Sequence, residues 1–123
     1  MRLLFKDFPL ASHDRARDAH EAARCAGAAG QYWRYHDRLF AAQPRFERAH
    51  LVAYAVEVGI DRTRFERCLD DRRHAAAVDE DIRQGRALGI SGTPTFLING
   101  HPLVGAHPVE NFRTIIDDLL KTR

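Results

Sequence analysis

The sequence predicts one α/β domain in which a mixed sheet is interrupted by a long run of helices. Three observations predict this class: a short apolar run at residues 2–6, a long stretch with helical spacing of apolar residues, and two apolar runs that flank Asn99-Gly100. A chain of 123 residues has room for one hydrophobic core. We therefore expect a single domain over residues 1–123, with a helical insertion at about 12–89.

The first predicted element is a strand at residues 2–6, Arg2-Leu3-Leu4-Phe5-Lys6. A continuous apolar run of this length is typical of a strand that is covered on both faces, as in a parallel or mixed sheet. We expect Pro9 to end the strand, because proline cannot donate to a sheet ladder.

Five helices are predicted next, from apolar residues three or four positions apart and from glycine or proline at the ends. Asp61 is expected to cap one of them, since its carboxylate can accept from a free N–H of the first turn. Gly59 is well suited to the position after a helix. The predicted ranges are 14–29, 32–40, 47–58, a short helix after Asp61, and about 72–88.

A β-hairpin and a final helix complete the predicted fold. Asn-Gly between two apolar runs favours a type I′ turn, so Asn99-Gly100 predicts a hairpin of Thr95–Ile98 with His101–Val104. Pro102 indicates that the second strand lies at an edge. The last helix is predicted over 108–121, and Pro108 suits its first turn.

Composition and charge exclude several classes of function. The net charge is +2, and arginines alternate with acids, as in residues 61–67, so the chain has no concentrated basic surface for nucleic acid. No run approaches the roughly 20 apolar residues that span a bilayer. Lys6 and Asp7 interrupt the apolar start of the chain, so we expect no export signal in it. No motif predicts a cofactor.

The cysteines and histidines predict neither a catalytic group nor a metal site. Cys25 and Cys68 lie 43 positions apart, and neither belongs to a Cys-x-x-Cys. The seven histidines are scattered, with no pair at i, i+4 spacing. We therefore assign no catalytic residue and no metal ligand from the sequence.

Several segments resemble one protein family in the expected order. Residues 90–100, Ile-Ser-Gly-Thr-Pro-Thr-Phe-Leu-Ile-Asn-Gly, resemble the cis-proline loop and hairpin of thioredoxin-fold proteins. Residues 5–10 with His13, and the aromatic segment 30–40, resemble the strand and helical insertion of DsbA-like disulfide oxidoreductases. Gly105 and the final helix also match. The chain thus resembles the carboxy-terminal part of a DsbA-like thioredoxin-fold protein, without that family's Cys-x-x-Cys.

The resemblance implies a docking site at Thr93 and Pro94. In the family a cis peptide bond would precede Pro94, and the main chain of Thr93 would pair with an extended, cysteine-containing polypeptide. The alternative is an ordinary trans-proline at the start of a strand.

The resemblance also implies that the first strand and the helix with Cys-x-x-Cys precede residue 1. Because the thiol pair that exchanges disulfides is absent, we expect this chain to be inactive alone. The resemblance is to a family of enzymes, and the sequence leaves open whether this chain takes part in one. The missing strand would be the central one. Its absence leaves unpaired edges and apolar faces, and we expect a homodimer or a swapped assembly.

Some members of the family carry a structural disulfide between helices of the insertion, which makes Cys25 and Cys68 candidates for one; the alternative is two buried, reduced cysteines. The family favours an extracytoplasmic compartment if the full-length parent carries a signal. The aromatic residues Tyr32, Trp33, Tyr35 and Phe40 are interpreted as helix packing, with a peptide groove as the alternative. His20 and His36 are expected to be surface or hydrogen-bonded helix residues.

Two other functions remain open. One is a glutathione-using enzyme similar to kappa-class transferases and chromene-carboxylate isomerases, which share the helical insertion and the proline loop. The other is a noncatalytic thioredoxin-like binding module, either fused to a transporter or acting as a scaffold. Glutathione binding would favour the first, and peptide binding without redox change the second.

Overall fold

The computed structural model describes residues 1–121, which form six α-helices and one antiparallel pair of strands. The chain folds into two compact units, of which the first is Met1–Gly85 and the second begins at Arg86. None of the helices in residues 1–121 is long and apolar enough to cross a membrane. The elements are α1 Ala16–Ala28, α2 Tyr32–Ala42, α3 Arg48–Glu57, α4 Arg62–Asp70, α5 Ala75–Ala87, β1 Thr95–Ile98, β2 His101–Val104 and α6 Val109–Lys121.

The core of the first unit forms around α1, whose buried face consists largely of alanine. Small side chains allow close approach between helices, and α1 packs against α2, α3 and α4. Tyr35 and Phe65 are almost completely buried in this core, with ring centroids 5.6 Å apart. The Tyr35 hydroxyl donates to the carbonyl of Leu51 at 2.8 Å, so the polar end of the ring has a partner.

Local signals place the helix ends close to where the sequence predicts them. Asp61 caps α4: its Oδ2 accepts from the N–H of Arg64 at 3.0 Å. Gly59 follows α3 with φ of +87°, a conformation that residues with a Cβ rarely adopt. The predicted helix at about 72–88 is shorter in the structure, because its first residues form turns before α5 begins at Ala75.

The prediction of a strand at residues 2–6 is wrong. Residues 1–10 form neither helix nor strand, and Leu3 and Leu4 are 67% and 62% exposed. A strand exists only where a neighbouring strand pairs with its N–H and C=O groups, and within residues 1–121 the two strands, β1 and β2, pair with each other. The segment is instead held through Asp7, whose N–H donates to Asp81 at 2.8 Å.

The second unit contains the predicted hairpin with its predicted bounds. Thr95 pairs with Val104 and Ile98 with His101, and the turn places Asn99 and Gly100 at positive φ, as a type I′ turn requires. The α/β class is therefore confirmed, whereas the described sheet is an antiparallel pair and not a larger mixed sheet. The final helix packs on this hairpin: the ring of Phe112 in α6 lies edge-on against the ring of Phe96 in β1, with the ring centroids 4.7 Å apart.

Candidate functional site

The loop that leads into β1 presents main-chain groups to solvent. The peptide bond between Thr93 and Pro94 is cis, and both residues are exposed. Hydrogen bonds hold the loop on either side: Thr95 Oγ1 donates to the carbonyl of Gly92 at 2.7 Å, and the N–H of Gly105 donates to the carbonyl of Pro94 at 2.8 Å. Within residues 1–121, neither the N–H nor the C=O of Thr93 has a hydrogen-bond partner. Thr93 is thus a fixed and unpaired main-chain unit.

This loop carries no charged side chain and no thiol. Residues 90–100 contain no Asp, Glu, His, Lys, Arg, Cys or Tyr. The chemistry available beside Pro94 is therefore hydrogen bonding by neutral main-chain groups and by the hydroxyls of Ser91 and Thr93, together with apolar contact from exposed side chains such as Leu97.

The structure contains a disulfide between Cys25 of α1 and Cys68 of α4. Both residues are 5% exposed and belong to the core of the first unit. No cysteine in residues 1–121 is free. Because exchange requires a thiolate that a substrate can reach, neither sulfur can start such a reaction in this state.

His74 lies beside this disulfide, in the turn that precedes α5. One ring nitrogen of His74 and the two sulfurs all lie within 4.8 Å of one another. Burial lowers the pKa of His74, and the positive charges of Arg24 and Arg73 lower it further, which favours the neutral imidazole. The sequence does not reveal this arrangement, because the three residues belong to three different segments.

A buried network of charges joins the amino-terminal segment to α1 and α5. Asp7 and Asp81 are 3% and 6% exposed, and Arg24 donates to both carboxylates, at 2.5 and 2.8 Å. His20 Nδ1 donates to Asp7 Oδ1 at 2.7 Å. Burial alone would raise the pKa of Asp7, but the hydrogen bonds from His20 and Arg24 outweigh it and hold that pKa below its usual range. Lys6 Nζ lies 3.8 Å from Asp81 Oδ1 and supplies a second positive charge, so that two cations face the two carboxylates and hold the segment around Asp7 in place.

A third buried carboxylate, Glu21, lies on α1. Arg17 Nε and Arg72 Nη2 donate to its Oε2 at 2.9 and 2.8 Å. Burial alone would raise the pKa of Glu21, but the hydrogen bonds from Arg72 and Arg17 lower it overall. The pairing ties α1 to the turn after α4, where Arg72 has a positive φ of 47°.

An open cleft of about 270 Å³ lies between the amino-terminal segment and the start of α2. Phe5, Tyr32 and Trp33 contribute aromatic rings to it, and Trp33 is 47% exposed. Burial and the nearby charge of Asp7 raise the pKa of Tyr32 to about 12, so its hydroxyl is protonated near neutral pH. The aromatic stripe of α2 therefore divides: Tyr35 belongs to the core as interpreted, whereas Trp33 and Phe40 face solvent.

His36 packs its ring edge-on against Phe5, at 4.9 Å between centroids. Its Nδ1 lies 3.0 Å from Oδ1 of Asp37. His20 and His36 thus both have polar partners, as expected of hydrogen-bonded helix residues.

The sequence does not reveal that Asp7 and Asp81 share one buried network. A signal for Asp81 exists in the helical spacing, since the buried residues of α5 are Val78, Asp81 and Gly85. That spacing places Asp81 on the inner face, where a carboxylate requires a partner. Nothing local identifies that partner, because Arg24 lies 57 positions away.

Comparison with known proteins identifies the family of the chain. The profile of the DSBA-like thioredoxin domain matches residues 4–117. The Na⁺/H⁺ antiporter NhaA 1 of Salinispora arenicola is 38% identical over 111 residues, which is 89% of this chain and 17% of that protein. The antiporter NhaA of Herminiimonas arsenicoxydans is 32% identical over 108 residues, 88% of this chain and 17% of that one. The chain thus spans about a sixth of the length of these relatives.

Two crystal structures share the fold. A thioredoxin-like oxidoreductase from Silicibacter pomeroyi superposes with a TM-score of 0.83 at 22% identity, over 94% of this chain and 66% of that one. The thiol-disulfide exchange protein α-DsbA2 of Wolbachia pipientis superposes with a TM-score of 0.80 at 23% identity, over 94% and 64%. With the cis-proline hairpin and the family match over residues 4–117, these findings show that the chain has a thioredoxin-like fold and belongs to the DSBA-like thioredoxin domain family.

Proposed function

We propose that this chain provides the polypeptide-docking part of a DsbA-like thiol–disulfide oxidoreductase that acts on cysteine-containing polypeptides. The observation that carries the proposal is the exposed main chain of Thr93 beside the cis bond to Pro94, with its N–H and C=O unpaired within residues 1–121. The membership of the DSBA-like family supplies the class of reaction.

Strand addition is the mode of docking that these groups support. An extended peptide pairs its own N–H and C=O with those of an exposed strand edge. β1 pairs with β2 along one edge, and Thr93 lies two residues before the first paired residue, Thr95. A substrate segment beside Thr93 would therefore lie next to the Pro94 loop, with its cysteine held in an extended backbone.

We further propose that the exchanging thiols come from residues other than these 123. Exchange requires an activated thiolate and a second sulfur that resolves the mixed disulfide. Cys25 and Cys68 are bonded to each other and buried, so they do not meet this requirement. The chain alone is therefore expected to be inactive.

The first experiment is insulin reduction with the isolated chain and a dithiol reductant. We expect the rate to equal the rate without protein. Robust turnover by this chain would contradict the assignment of the thiols to other residues.

The second experiment tests docking by calorimetry with an extended peptide that contains one cysteine. A series of peptides, each with one backbone nitrogen methylated, removes one donor at a time. Because the C=O of Thr93 accepts from the N–H of one facing residue, we expect methylation to weaken binding most at that single position. The two neighbouring positions, whose N–H groups point away from Thr93, are the matched controls. Equal losses at all positions, or no binding by the parent peptide, would refute docking by strand addition.

We also propose that residues 1–123 are one incomplete thioredoxin-fold domain that forms a homodimer or a swapped assembly in an extracytoplasmic compartment. The exposed apolar side chains of Leu97 and Val104 on the two strands support self-association. The disulfide supports an oxidising compartment. Light scattering coupled to gel filtration tests the first point, and a monomer at all concentrations would contradict it.

A noncatalytic binding module is the second candidate. Two observations favour it: within residues 1–121 no thiol is free, and the relatives at 32–38% identity are named as antiporters. Such a module would bind a peptide through its backbone alone. Replacement of the peptide cysteine by serine would leave the affinity of such a module for the peptide unchanged. In an oxidoreductase with a reactive thiol pair, the same replacement would abolish the mixed disulfide with the peptide.

A further inference from the structure

Three potential metal ligands converge at one point in the first unit. Cys25 comes from α1, Cys68 from α4, and His74 from the turn before α5. Their ligand atoms all lie within 4.8 Å of one another. The Cα atoms of the two cysteines are 6.0 Å apart, so the backbone already holds the two cysteine side chains close together.

Two cysteines and a histidine form a ligand set typical of zinc. Zn²⁺ binds thiolates at about 2.3 Å and imidazole nitrogen at about 2.0 Å in a tetrahedron, so the ligand atoms must be roughly 3.5–3.8 Å apart. The ligand atoms lie within 4.8 Å of one another, so the site requires the two sulfurs to separate after reduction and the imidazole to approach by about 1 Å. In the oxidised protein the two sulfurs are bonded to each other and supply no thiolate.

We propose that reduction of the Cys25–Cys68 disulfide converts this cluster into a Zn²⁺ site with His74 as the third ligand. The reductant is a dithiol or a phosphine. A dithiol transfers two electrons and two protons to the two sulfurs, and becomes a disulfide. A phosphine supplies the two electrons, water supplies the two protons, and the phosphine becomes a phosphine oxide. Metal binding then displaces the two thiol protons to solvent, so that two Zn–S bonds and one Zn–N bond form.

Charge and burial suit such a site. Two thiolates balance the charge of Zn²⁺, so the complex does not add net positive charge beside Arg24 and Arg73. The sulfurs are buried whereas His74 is only half-buried, so the fourth position, for water or a small external ligand, opens on the side of the imidazole.

The arrangement predicts a redox-dependent exchange of one crosslink for another. In the oxidised state a covalent bond joins α1 to α4. In the reduced state the metal would join the same helices and also the turn that carries His74. Because the metal binds the folded state, it would recover part of the stability that reduction removes.

Binding of Co²⁺ and Zn²⁺ to the protein in tris(2-carboxyethyl)phosphine tests the proposal. We expect one Co²⁺ per chain, with the sulfur charge-transfer and d–d absorption of a tetrahedral thiolate site, displaced by Zn²⁺. The His74→Ala variant should raise the Kd for Zn²⁺ at least about tenfold, the smallest loss expected for a group that supports a metal. The His13→Ala variant, which changes an exposed histidine outside the cluster, should bind like the parent chain. The oxidised chain should not bind.

Circular dichroism of the same samples decides the case in which reduction unfolds the chain. If the helicity recovers on addition of Zn²⁺, the site is supported, and the recovery should be smaller in His74→Ala than in the parent chain. Three results would overturn it: no binding by the reduced chain, equal affinity of His74→Ala and the parent, or a reduced chain that stays unfolded with Zn²⁺.

Discussion

Gly85 provides the sharpest test of the packing between the amino-terminal segment and α5. A Cβ built on Gly85 would lie 2.7 Å from Cδ1 and from Cε1 of Phe8, closer than any relaxed contact. Two opposing effects decide the outcome of Gly85→Ala. Alanine gains about 1 kcal/mol over glycine within a helix, whereas overpacking of this kind costs typically about 1–3 kcal/mol.

We therefore expect Gly85→Ala to destabilise the chain by roughly 1 kcal/mol, measured by urea unfolding followed by circular dichroism. In the Phe8→Ala background the opposing ring is absent, and the same substitution should stabilise by about 1 kcal/mol. If the effect of Gly85→Ala on stability changes sign between the two backgrounds, the loss is due to contact with Phe8 and not to an effect of alanine on α5 itself. If Gly85→Ala stabilises the chain with Phe8 in place, the ring yields freely and the packing argument fails.

Three further predictions concern the crosslink and the buried charges. Cys25→Ala with Cys68→Ala should cost about 4 kcal/mol of unfolding free energy in the chain-entropy model for a loop of 43 residues; a loss below about 1 kcal/mol in urea unfolding would contradict a formed disulfide. Asp7→Asn should destabilise by roughly 1–3 kcal/mol, because His20 and Arg24 lose a charged acceptor while Arg24 keeps its bond to Asp81, whereas Asp118→Asn on the exposed face of α6 should stay within about 0.5 kcal/mol. The pKa values of Asp7 and Glu21 are lowered because their hydrogen-bonded partners outweigh burial, so their contribution is complete above the ordinary carboxyl range and is lost as the pH falls through the lowered values. Unfolding free energy measured from pH 7 downwards should fall, and less steeply in Asp7→Asn; parallel curves would rule out that role for Asp7.

The features that the sequence predicts well are those that local chemistry determines. The bounds of both strands follow from Asn99-Gly100, whose turn needs no distant partner. The N-cap at Asp61 is similarly local, since donor and acceptor lie three residues apart. The resemblance of residues 90–100 to a known loop also leads to the cis bond before Pro94.

The features that it predicts poorly depend on distant partners. Residues 2–6 have the composition of a strand, but a strand also needs a neighbouring strand that pairs with its N–H and C=O groups. The apolar pattern of these residues does not indicate whether such a neighbour exists. Asp81 faces the interior because Arg24 and the N–H of Asp7 donate hydrogen bonds to its carboxylate there. Ile82, the apolar residue that follows Asp81 in α5, is only half-buried. The approach of His74 to two cysteines from other helices is likewise a product of the fold.

The neutral character of residues 90–100 has a consequence for selectivity. A ligand that pairs with the backbone of Thr93 meets no fixed charge there, so the strength of that pairing would change little with ionic strength or with pH in the physiological range. Every residue except proline carries the same amide, so such pairing would discriminate poorly among sequences. It would select instead for chains loose enough to straighten, which are those that have not yet folded.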